Sequence, residues 1–348
     1  GSLSQRTHAS HPRSQLARGR LFSLPCRMAT VAAPLPLRAT ACCAGLAPCR
    51  LSSSDGARFP GRPVQRGLVA GACRRRESAG FRVEALFGGG GVGPKEPMAP
   101  PYNVLITGST KAERVESAAS DLKKEFGEQH VWGAVCDVRE GKDVKALVDF
   151  ARDKLGYIDI WINNAGSNAY SFKPLVETSD EALIEVITTN TLGLMLCCRE
   201  AINMMWSQPR GGHIFNIDGA GSDGRPTPRF AAYGATKRSV VHLTKSLQAE
   251  LQMNEVNNVV VHNLSPGMVT TELLMSGATT KQAKFFINIL AEPPEVVADY
   301  LVPNIRAIPA NQSMKPTYIR FLTGLKAYSR IFSRLAFGAR RNKYVAED

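Results

Sequence analysis

The feature that most constrains this fold is a regular alternation of short apolar runs with amphipathic segments. Short apolar runs bounded by turn residues are typical of buried parallel strands, and amphipathic segments with apolar residues at helical spacing are typical of helices packed on a sheet. Predicted strands begin near residues 102, 130, 158, 212 and 258, and predicted helices cover about 112–126, 140–155, 179–206 and 231–253. This order predicts an α/β domain, a doubly wound parallel sheet with helices on both faces.

The predicted strands end in short polar or glycine-containing motifs. These motifs are Thr107-Gly108, Cys136-Asp137-Val138, Asn163-Asn164-Ala165-Gly166 and Ser265-Pro266-Gly267. In an open α/β sheet, ligands bind outside the carboxyl ends of the strands. We therefore expect these motifs to converge on one site.

Tyr233 and Lys237 are four residues apart in a predicted helix, so both side chains should lie on one face. An ammonium beside a phenol stabilises the phenolate and lowers the pKa of the tyrosine. The pair is therefore a candidate acid and base for carbonyl chemistry. The spacing alone is weak, because Tyr-x-x-x-Lys also occurs on solvated helix faces.

The net charge of +13 suggests a nucleic-acid binder until it is located along the chain. Residues 1–90 hold fourteen arginines, no lysine and three acidic residues, whereas the rest of the chain is nearly neutral. This distribution argues against a nucleic-acid groove. An arginine- and serine-rich, acid-poor leader is typical of an organelle transit peptide, and its Ala/Ser/Pro content favours the plastid.

The predicted organisation has five parts. They are an upstream extension (1–27, before Met28), a disordered chloroplast transit peptide (28–84), a linker (85–101), the α/β domain (102–310) and a C-terminal tail (311–348). Cys136, Cys197 and Cys198 show no metal-ligand spacing with histidines and are expected to be core thiols. No uninterrupted apolar run approaches 18 residues, so we expect no membrane-spanning segment.

The motifs together resemble those of the short-chain dehydrogenase/reductase family over about residues 102–310. The resemblance rests on Thr107-Gly108, Asp137, Asn163–Gly166, Asn190, Tyr233-x-x-x-Lys237 and Pro266-Gly267 in the family's order and spacing. It implies NADPH or NADH as cofactor and a proton relay through Asn190, Lys237 and Tyr233.

The resemblance also implies a set of cofactor contacts. Thr107, Gly108 and Ser109 would form the first turn, and Asp137 would contact the adenine, although it could also cap the next helix. Asn163, Asn164, Ala165 and Gly166 would stabilise the sheet and contact the ribose, while Tyr233 and Lys237 would lie beside the same ribose. Pro266, Gly267 and Thr271, rather than Thr270, would hold the carboxamide.

The chain departs from the family pattern at the catalytic serine. The usual position, thirteen residues before the tyrosine, is Ala220. Asp218 stands close to where the family's serine pair begins, and Ser222 follows in a glycine-rich loop. We expect Ser222 to polarise the substrate carbonyl; the alternative is a serine that makes only a local turn bond.

A second departure affects the cofactor phosphates. After Gly108 the chain continues Ser109-Thr110-Lys111 into a helix, without the two further glycines of the family turn. Those glycines let backbone N–H groups approach the pyrophosphate. The distance from Tyr102 to His130 fits one helix, so the family's first helix and second strand are apparently missing. This is either an exon-skipped or mis-assembled version of an active reductase or a natural variant with weak cofactor binding; the intact downstream spacing favours the former.

Two later segments bear on substrate and location. A lid over residues 268–294 is rich in large apolar side chains, which suits a flat apolar substrate or ordinary helix packing. In the tail, Phe321, Leu322, Leu325, Phe332 and Leu335 recur at helical spacing beside Lys326, Arg330 and Arg334. An apolar stripe beside a basic one can lie on an anionic membrane or in a subunit interface.

Within the family, the leader, residues 216–222 and the C-terminal stretch resemble the plastid chlorophyll(ide) b reductases. That resemblance implies reduction of the 7-formyl group of chlorophyll b or chlorophyllide b, and a peripheral position on the stromal side of the thylakoid membrane. It also implies a paralogous membrane-bound reductase or a second copy as partner. One alternative is a plastid 3-oxoacyl reductase. Another is a non-catalytic partner subunit, and the shortened cofactor turn favours this second alternative.

Overall fold

The computed structural model describes residues 96–108 and 112–347, together with the backbone of residues 27–32. The strands form one seven-stranded sheet in the order β3-β1-β2-β4-β5-β6-β7, and every neighbouring pair is parallel. The strands are β1 (Arg27–Ala32), β2 (Asn103–Thr107), β3 (Val131–Val135), β4 (Ile160–Asn163), β5 (Gly212–Ile217), β6 (Val259–Ser265) and β7 (Tyr318–Arg320). The predicted doubly wound parallel sheet is therefore confirmed.

Helices cover both faces of this sheet. They are α1 (Ala112–Phe126), α2 (Gly141–Leu155), α3 (Asp180–Ile187), α4 (Leu194–Trp206), α5 (Ala231–Met253), α6 (Glu272–Met275), α7 (Lys281–Leu290), α8 (Pro294–Ala310) and α9 (Gly324–Phe337). Successive strand residues point to opposite faces, so Trp161 and Ile214 pack into one core while Ile160 and Phe215 pack into the other. Both faces are buried, which explains why the strands are apolar throughout.

The connection from β2 to β3 contains a single helix, α1, as the short spacing predicts. The position between β2 and β3, where the family's second strand would lie, is taken by β1 from the N-terminal segment. Unpaired parallel edges on β2 and β3 would leave backbone N–H and C=O groups unsatisfied, and β1 pairs with both. This placement differs from the predicted disordered leader at residues 28–32. The rest of the predicted segments 1–27 and 28–84 lies outside the described residues.

Both predicted boundaries of the α/β domain fall inside packed structure. Met98, in the predicted linker, belongs to the core cluster that also contains Tyr102 and Val104. At the other end, β7 pairs with β6 beyond residue 310, so the sheet continues into the predicted tail. The folded unit therefore extends past 102–310 in both directions.

The long helix predicted for about 179–206 is interrupted by a π-helical turn. α3 leads into Thr188–Gly193, which is π-helical, and α4 follows. Gly193 is required there, because a Cβ at this position would lie 2.9 Å from Val138 Cγ2. Short π-helical segments are frequent at functional sites, and this one contains Asn190.

By length and composition alone, the helical stretch Asp180–Trp206 could cross a membrane. It was not identified from the sequence, because the prediction rested only on uninterrupted apolar runs. Part of this stretch packs on the sheet as a core helix does. Cys197, Cys198, Ala201 and Met205 of α4 lie in the same core cluster as Trp161. Cys136, Cys197 and Cys198 are free and buried, in agreement with the prediction of core thiols.

Among the contacts that hold the C-terminal tail to the body, one group converges on the buried carboxylate of Glu292, between α7 and α8. It accepts hydrogen bonds from Arg330 (2.5 Å), Arg340 (2.9 Å), Lys343 (3.2 Å) and Tyr344 (2.9 Å). These partners lower the pKa of Glu292 to about 2, against the effect of burial. We call this set of five residues the Glu292 cluster.

Membrane binding by the basic stripe of the tail helix α9 would need its basic side chains to face outward, but they face the protein. Arg330 joins Glu292, Arg334 pairs with Glu347, and Lys326 Nζ lies 3.7 Å from the centre of the Phe321 ring. The basic stripe therefore faces the protein. The predicted apolar stripe is divided: Leu325, Phe332 and Leu335 face outward, whereas Phe321 is buried in a core cluster and Leu322 packs against that cluster. Tyr328 and Phe337 are exposed on the same helix.

Candidate active site

Tyr233 and Lys237 lie on one face of α5, as their spacing predicts. Lys237 is buried, and its Nζ lies 5.7 Å from the centre of the Tyr233 ring. Nζ donates a hydrogen bond to the carbonyl oxygen of Ile217 at the end of β5, 3.1 Å away. The lysine is thus fixed against the carboxyl edge of the sheet.

The electrostatics of the pair differ from the expectation that Lys237 lowers the pKa of Tyr233. Burial, and then the nearby Asp218 carboxylate, raise the pKa of Tyr233 above its usual value. Burial lowers the pKa of Lys237 to about 8, while Asp218 opposes that change. The effects of burial and of Asp218 on the phenol therefore outweigh any stabilisation of the phenolate by Lys237.

Gly219 is a site residue that the sequence analysis did not identify. A Cβ at this position would lie 2.6 Å from Tyr233 Oη and 3.2 Å from Lys237 Cγ. The absence of a side chain here leaves room for the phenol. In the sequence, the one indication of this role is that Gly219 lies next to Ala220, the position where the family has its serine.

Asn190 meets Lys237 across Gly166. Asn190 Oδ1 accepts from the N–H of Ser167 (2.8 Å), and its Nδ2 donates to Ser167 O (2.8 Å) and Thr236 Oγ1 (3.1 Å). A Cβ on Gly166 would lie 3.4 Å from Asn190 Oδ1 and 3.5 Å from Lys237 Nζ. The structure therefore brings together Asn190, Lys237 and Tyr233, the three residues of the relay that the family resemblance implies.

Ser222 is buried but faces Asp218 rather than Tyr233. Its hydroxyl stabilises the Asp218 carboxylate, and its backbone oxygen accepts from Arg238 Nη1 at 2.7 Å. Ala220, at the family's serine position, is exposed. No hydrogen bond between Ser222 and Tyr233 is formed in the part of the chain that the structure describes.

Thr107 joins the ends of β2 and β4. Its Oγ1 accepts from the backbone N–H groups of Asn164 and Ala165, both at 3.2 Å. A Cβ on Gly108 would lie 2.6 Å from Asn164 Nδ2, so this glycine permits close packing of the two strand ends. Ser109 lies outside the described residues.

Asn163 has the structural role expected for it. Its Nδ2 donates to Asn216 Oδ1 at 2.8 Å, and its Oδ1 accepts from Trp161 Nε1 at 2.8 Å. Asn216 in turn donates to Thr244 on α5. The side chain therefore ties β4 to β5 and α5 inside the core.

The Asp137 side chain is engaged by Arg139, not by the next helix. The carboxylate accepts from Arg139 Nη2 at 2.6 Å and from the Arg139 backbone N–H at 3.0 Å, and these bonds lower the pKa of Asp137. The N-cap of α2 is Glu140, so the alternative in which Asp137 caps that helix is wrong. Asp143 instead reaches back to accept from the Asp137 backbone N–H.

Pro266, Gly267 and Thr271 lie on the loop that leads from β6 to the lid. Gly267 adopts a positive φ of 75°, and a Cβ there would also lie 2.7 Å from Leu322 Cβ. Thr271 is exposed and precedes α6, while its neighbour Thr270 donates its N–H to the backbone oxygen of Glu292. The Glu292 cluster and this loop are therefore directly connected.

The predicted lid contains α6 and α7 and contacts the loop after β4 and helix α1. Asn168 Nδ2 donates to Leu273 O at 3.3 Å, and Arg114 pairs with Glu272 at 2.7 Å. Of the apolar lid residues, Ile287 and Ile289 are buried and the others half-buried; these are Met268, Leu273, Leu274, Met275, Phe285, Phe286 and Leu290. A cavity of about 20 Å³ remains beside Tyr233 and Phe230, enough for about one water molecule.

Comparison with known proteins gives a consistent set of relatives. The short chain dehydrogenase family matches residues 95–282, more than half of the chain. The chain is 78% identical over 346 residues to the chloroplastic chlorophyll(ide) b reductase NOL of Oryza sativa subsp. japonica, covering 92% of this chain and 100% of that protein. It is 74% identical over 279 residues to the NOL reductase of Arabidopsis thaliana, covering 74% and 80%. The probable chlorophyll(ide) b reductase NYC1 of Oryza sativa subsp. japonica is 46% identical over 212 residues, covering 60% of this chain and 41% of that protein.

Solved structures show the same fold. A 3-ketoacyl-(acyl-carrier-protein) reductase from Brucella melitensis, complexed with NADH, is 25% identical with a TM-score of 0.52. The similarity covers 65% of this chain and 88% of that structure. A serine dehydrogenase complexed with NADP+ is 28% identical with a TM-score of 0.51, covering 62% and 84%.

Proposed function

The chain belongs to the short-chain dehydrogenase/reductase family, and we propose that it is a chlorophyll(ide) b reductase. It is an oxidoreductase that converts the 7-formyl group of chlorophyll b or chlorophyllide b to a hydroxymethyl group. The observation that carries this proposal is the 78% identity to a rice chlorophyll(ide) b reductase over that protein's full length.

The cofactor is NADPH or NADH, and the residues near Tyr233 fit the nicotinamide end of such a molecule. Gly166 has no side chain to cover Lys237 Nζ, and Asn190 holds the backbone of the same turn through Ser167. The related structures with NADH and NADP+ bound support this class of cofactor. When bound, the nicotinamide supplies the hydride.

The chain's own residues supply the proton and its position. We propose that Tyr233 Oη donates a proton to the oxygen that becomes the alcohol. Its raised pKa keeps the phenol protonated at neutral pH, as a proton donor requires. Lys237, with a pKa of about 8, is mostly cationic at neutral pH and favours the developing negative charge.

The phosphate end is the weaker half of the site, which supports a second candidate function. The turn after β2 contains Gly108 but not the two later glycines, and the Asp137 carboxylate already binds Arg139. A chain that binds the cofactor poorly could serve as a non-catalytic partner of a paralogous reductase related to the NYC1 relative. A plastid 3-oxoacyl reductase is a further alternative, favoured only by the similarity to the Brucella enzyme.

We propose a chloroplast location with peripheral contact to the stromal side of the thylakoid membrane. The basic side chains of α9 are turned inward, so the contact would be made by the exposed apolar side chains Leu325, Phe332 and Leu335. A second copy of the chain is a competing partner for this surface. Replacing these three residues with serine should lower binding to galactolipid vesicles; unchanged binding would disprove the role of α9.

A direct assay decides between the candidate functions. The full chain is incubated with NADPH or NADH and with chlorophyll b, chlorophyllide b or a 3-oxoacyl thioester, and products are separated by chromatography. The proposal expects 7-hydroxymethyl product from a pigment substrate. Coenzyme binding by fluorescence titration without any product would indicate a partner subunit, and turnover of the thioester alone would indicate an acyl reductase.

A further inference from the structure

We infer, on the basis of the proposed function, that the pair of buried Asp218 and half-buried Tyr318 is a positioning and charge-setting unit for Tyr233 and Lys237. Asp218 directly follows β5, in the stretch of the chain where the family's serine is absent. The pair joins the end of β5 to β7, the strand at the edge of the sheet.

The end of β5 contacts both catalytic candidates. Ile217 O accepts the hydrogen bond from Lys237 Nζ (3.1 Å), and Gly219 lies directly against Tyr233 Oη. Asp218 is the residue between them. The position of residues 217–219 therefore decides where the lysine is held and whether the phenol has room.

Asp218 is anchored from several sides. Its side chain is buried, the Tyr318 hydroxyl donates to its Oδ2, and its backbone N–H donates to Leu264 O at 2.9 Å. The hydroxyls of Ser222 and Ser265 lower the pKa of the carboxylate, but its Oδ1 is buried without a hydrogen-bond partner among the described residues. Tyr318 is itself placed by the pairing of β7 with β6, in which it stands opposite Asn263.

The charged and titratable groups around this pair come from several elements. Lys237 from α5 and Tyr318 from β7 act on Asp218, and Arg320 stacks at 3.9 Å on the ring of Tyr318. Burial raises the pKa of Asp218, and its hydrogen bonds with Tyr318, Ser265 and Ser222 oppose that effect. Burial and Asp218 raise the pKa of Tyr318 to about 12, so it remains a donor.

A negative charge at this position has a defined effect on the reaction. The Asp218 carboxylate raises the pKa of Tyr233 and that of Lys237, because it favours the proton-bearing form of each. Both groups therefore keep their protons to higher pH. Removing the charge should lower both pKa values and move the alkaline limb of the pH–rate profile to lower pH.

The test compares Asp218→Asn and Tyr318→Phe with Tyr328→Phe, a control on the exposed face of α9. The pH dependence of kcat/KM is measured for chlorophyll b reduction by the full chain. Asp218→Asn should move the alkaline limb down by about one pH unit, the size expected for loss of a nearby charge. Tyr318→Phe should move the alkaline limb in the same direction by less, because it removes one hydrogen bond that favours the ionised form of Asp218 but leaves the carboxyl group in place. Tyr328→Phe should leave the limb unchanged.

A second measurement does not depend on turnover. The Lys237 signal, identified by its loss in Lys237→Met, is titrated by NMR in protein with ¹³C-labelled lysine side chains. A lower Lys237 pKa in Asp218→Asn supports the inference even if the wild type reduces no pigment, a result that would contradict the proposed function alone. An unchanged Lys237 pKa, or superimposable pH profiles in an active enzyme, would overturn it. If Asp218→Asn fails to fold, Tyr318→Phe carries both measurements.

Discussion

The two ends of the site differ in how completely they are built. Around α5, Tyr233, Lys237 and Asn190 converge, and the glycine at 219 leaves space where a side chain would intrude. At the turn after β2, one glycine remains where the family has three, and the neighbouring strand position is filled by β1 from the N-terminal segment. Proton-transfer chemistry and phosphate binding thus depend on different segments of this fold.

We therefore expect the two ends to vary largely independently. The α5 end is held by contacts among β4, β5, β6 and α5, such as Asn163 to Asn216 and Asn216 to Thr244. None of these contacts involves the turn after β2. A change in that turn should therefore alter coenzyme affinity before it alters the geometry of Tyr233.

The largest effect is expected from Tyr233→Phe, which tests whether the α5 end is complete. Removing the proton donor should lower kcat/KM for the formyl substrate by about a hundredfold or more. Coenzyme affinity, measured by fluorescence titration, should change little. Retained activity in the variant would show that another group supplies the proton and that the α5 end is not the reacting centre.

A smaller loss is expected from Gly219→Ala. The new Cβ would lie 2.6 Å from Tyr233 Oη, so the phenol must shift. Small displacements of a reacting group cost roughly tenfold to a hundredfold in rate. The measurement is kcat with saturating coenzyme.

Ala220→Ser is the matched control for Gly219→Ala. It restores a serine at the family's position, but on an exposed residue, and should leave kcat unchanged. A large gain in kcat from Ala220→Ser would show that the loop presents residue 220 to the substrate.

The smallest effect is expected from Gly108→Ala, which probes the other end. The clash is with the flexible end of the Asn164 side chain, which can move. Coenzyme affinity should fall about threefold, a cost of less than 1 kcal/mol, and the pH profile should stay the same. A loss as large as that from Gly219→Ala would mean that the two ends are coupled through β4.

The local pattern of the sequence predicted much of the catalytic end. The strands before Asn163 and Ser265 and the helix with Tyr233 and Lys237 follow from apolar periodicity, and all are present. The π-helical turn around Asn190 could not be predicted in this way. It depends on the close approach of Gly193 to Val138, which is a tertiary contact.

Other features depend on contacts between distant segments. The role of Tyr318 could not be predicted from the sequence, because β7 is a three-residue strand whose position is set by pairing with β6. The inward orientation of Arg330 and Arg334 depends on Glu292 and Glu347, which periodicity cannot reveal. The pKa of Tyr233 was expected to fall because the spacing shows Lys237 but not the burial or the role of Asp218.

The Glu292 cluster has a consequence for how the protein is made. Glu292 precedes its four partners along the chain, by 38 residues for Arg330 and by 48 to 52 residues for Arg340, Lys343 and Tyr344. Domains begin to fold during synthesis from the N-terminal side. The carboxylate beside the lid therefore lacks its partners until residues 38 to 52 positions further along have joined the fold, so the lid acquires this support only after its own two helices are in place.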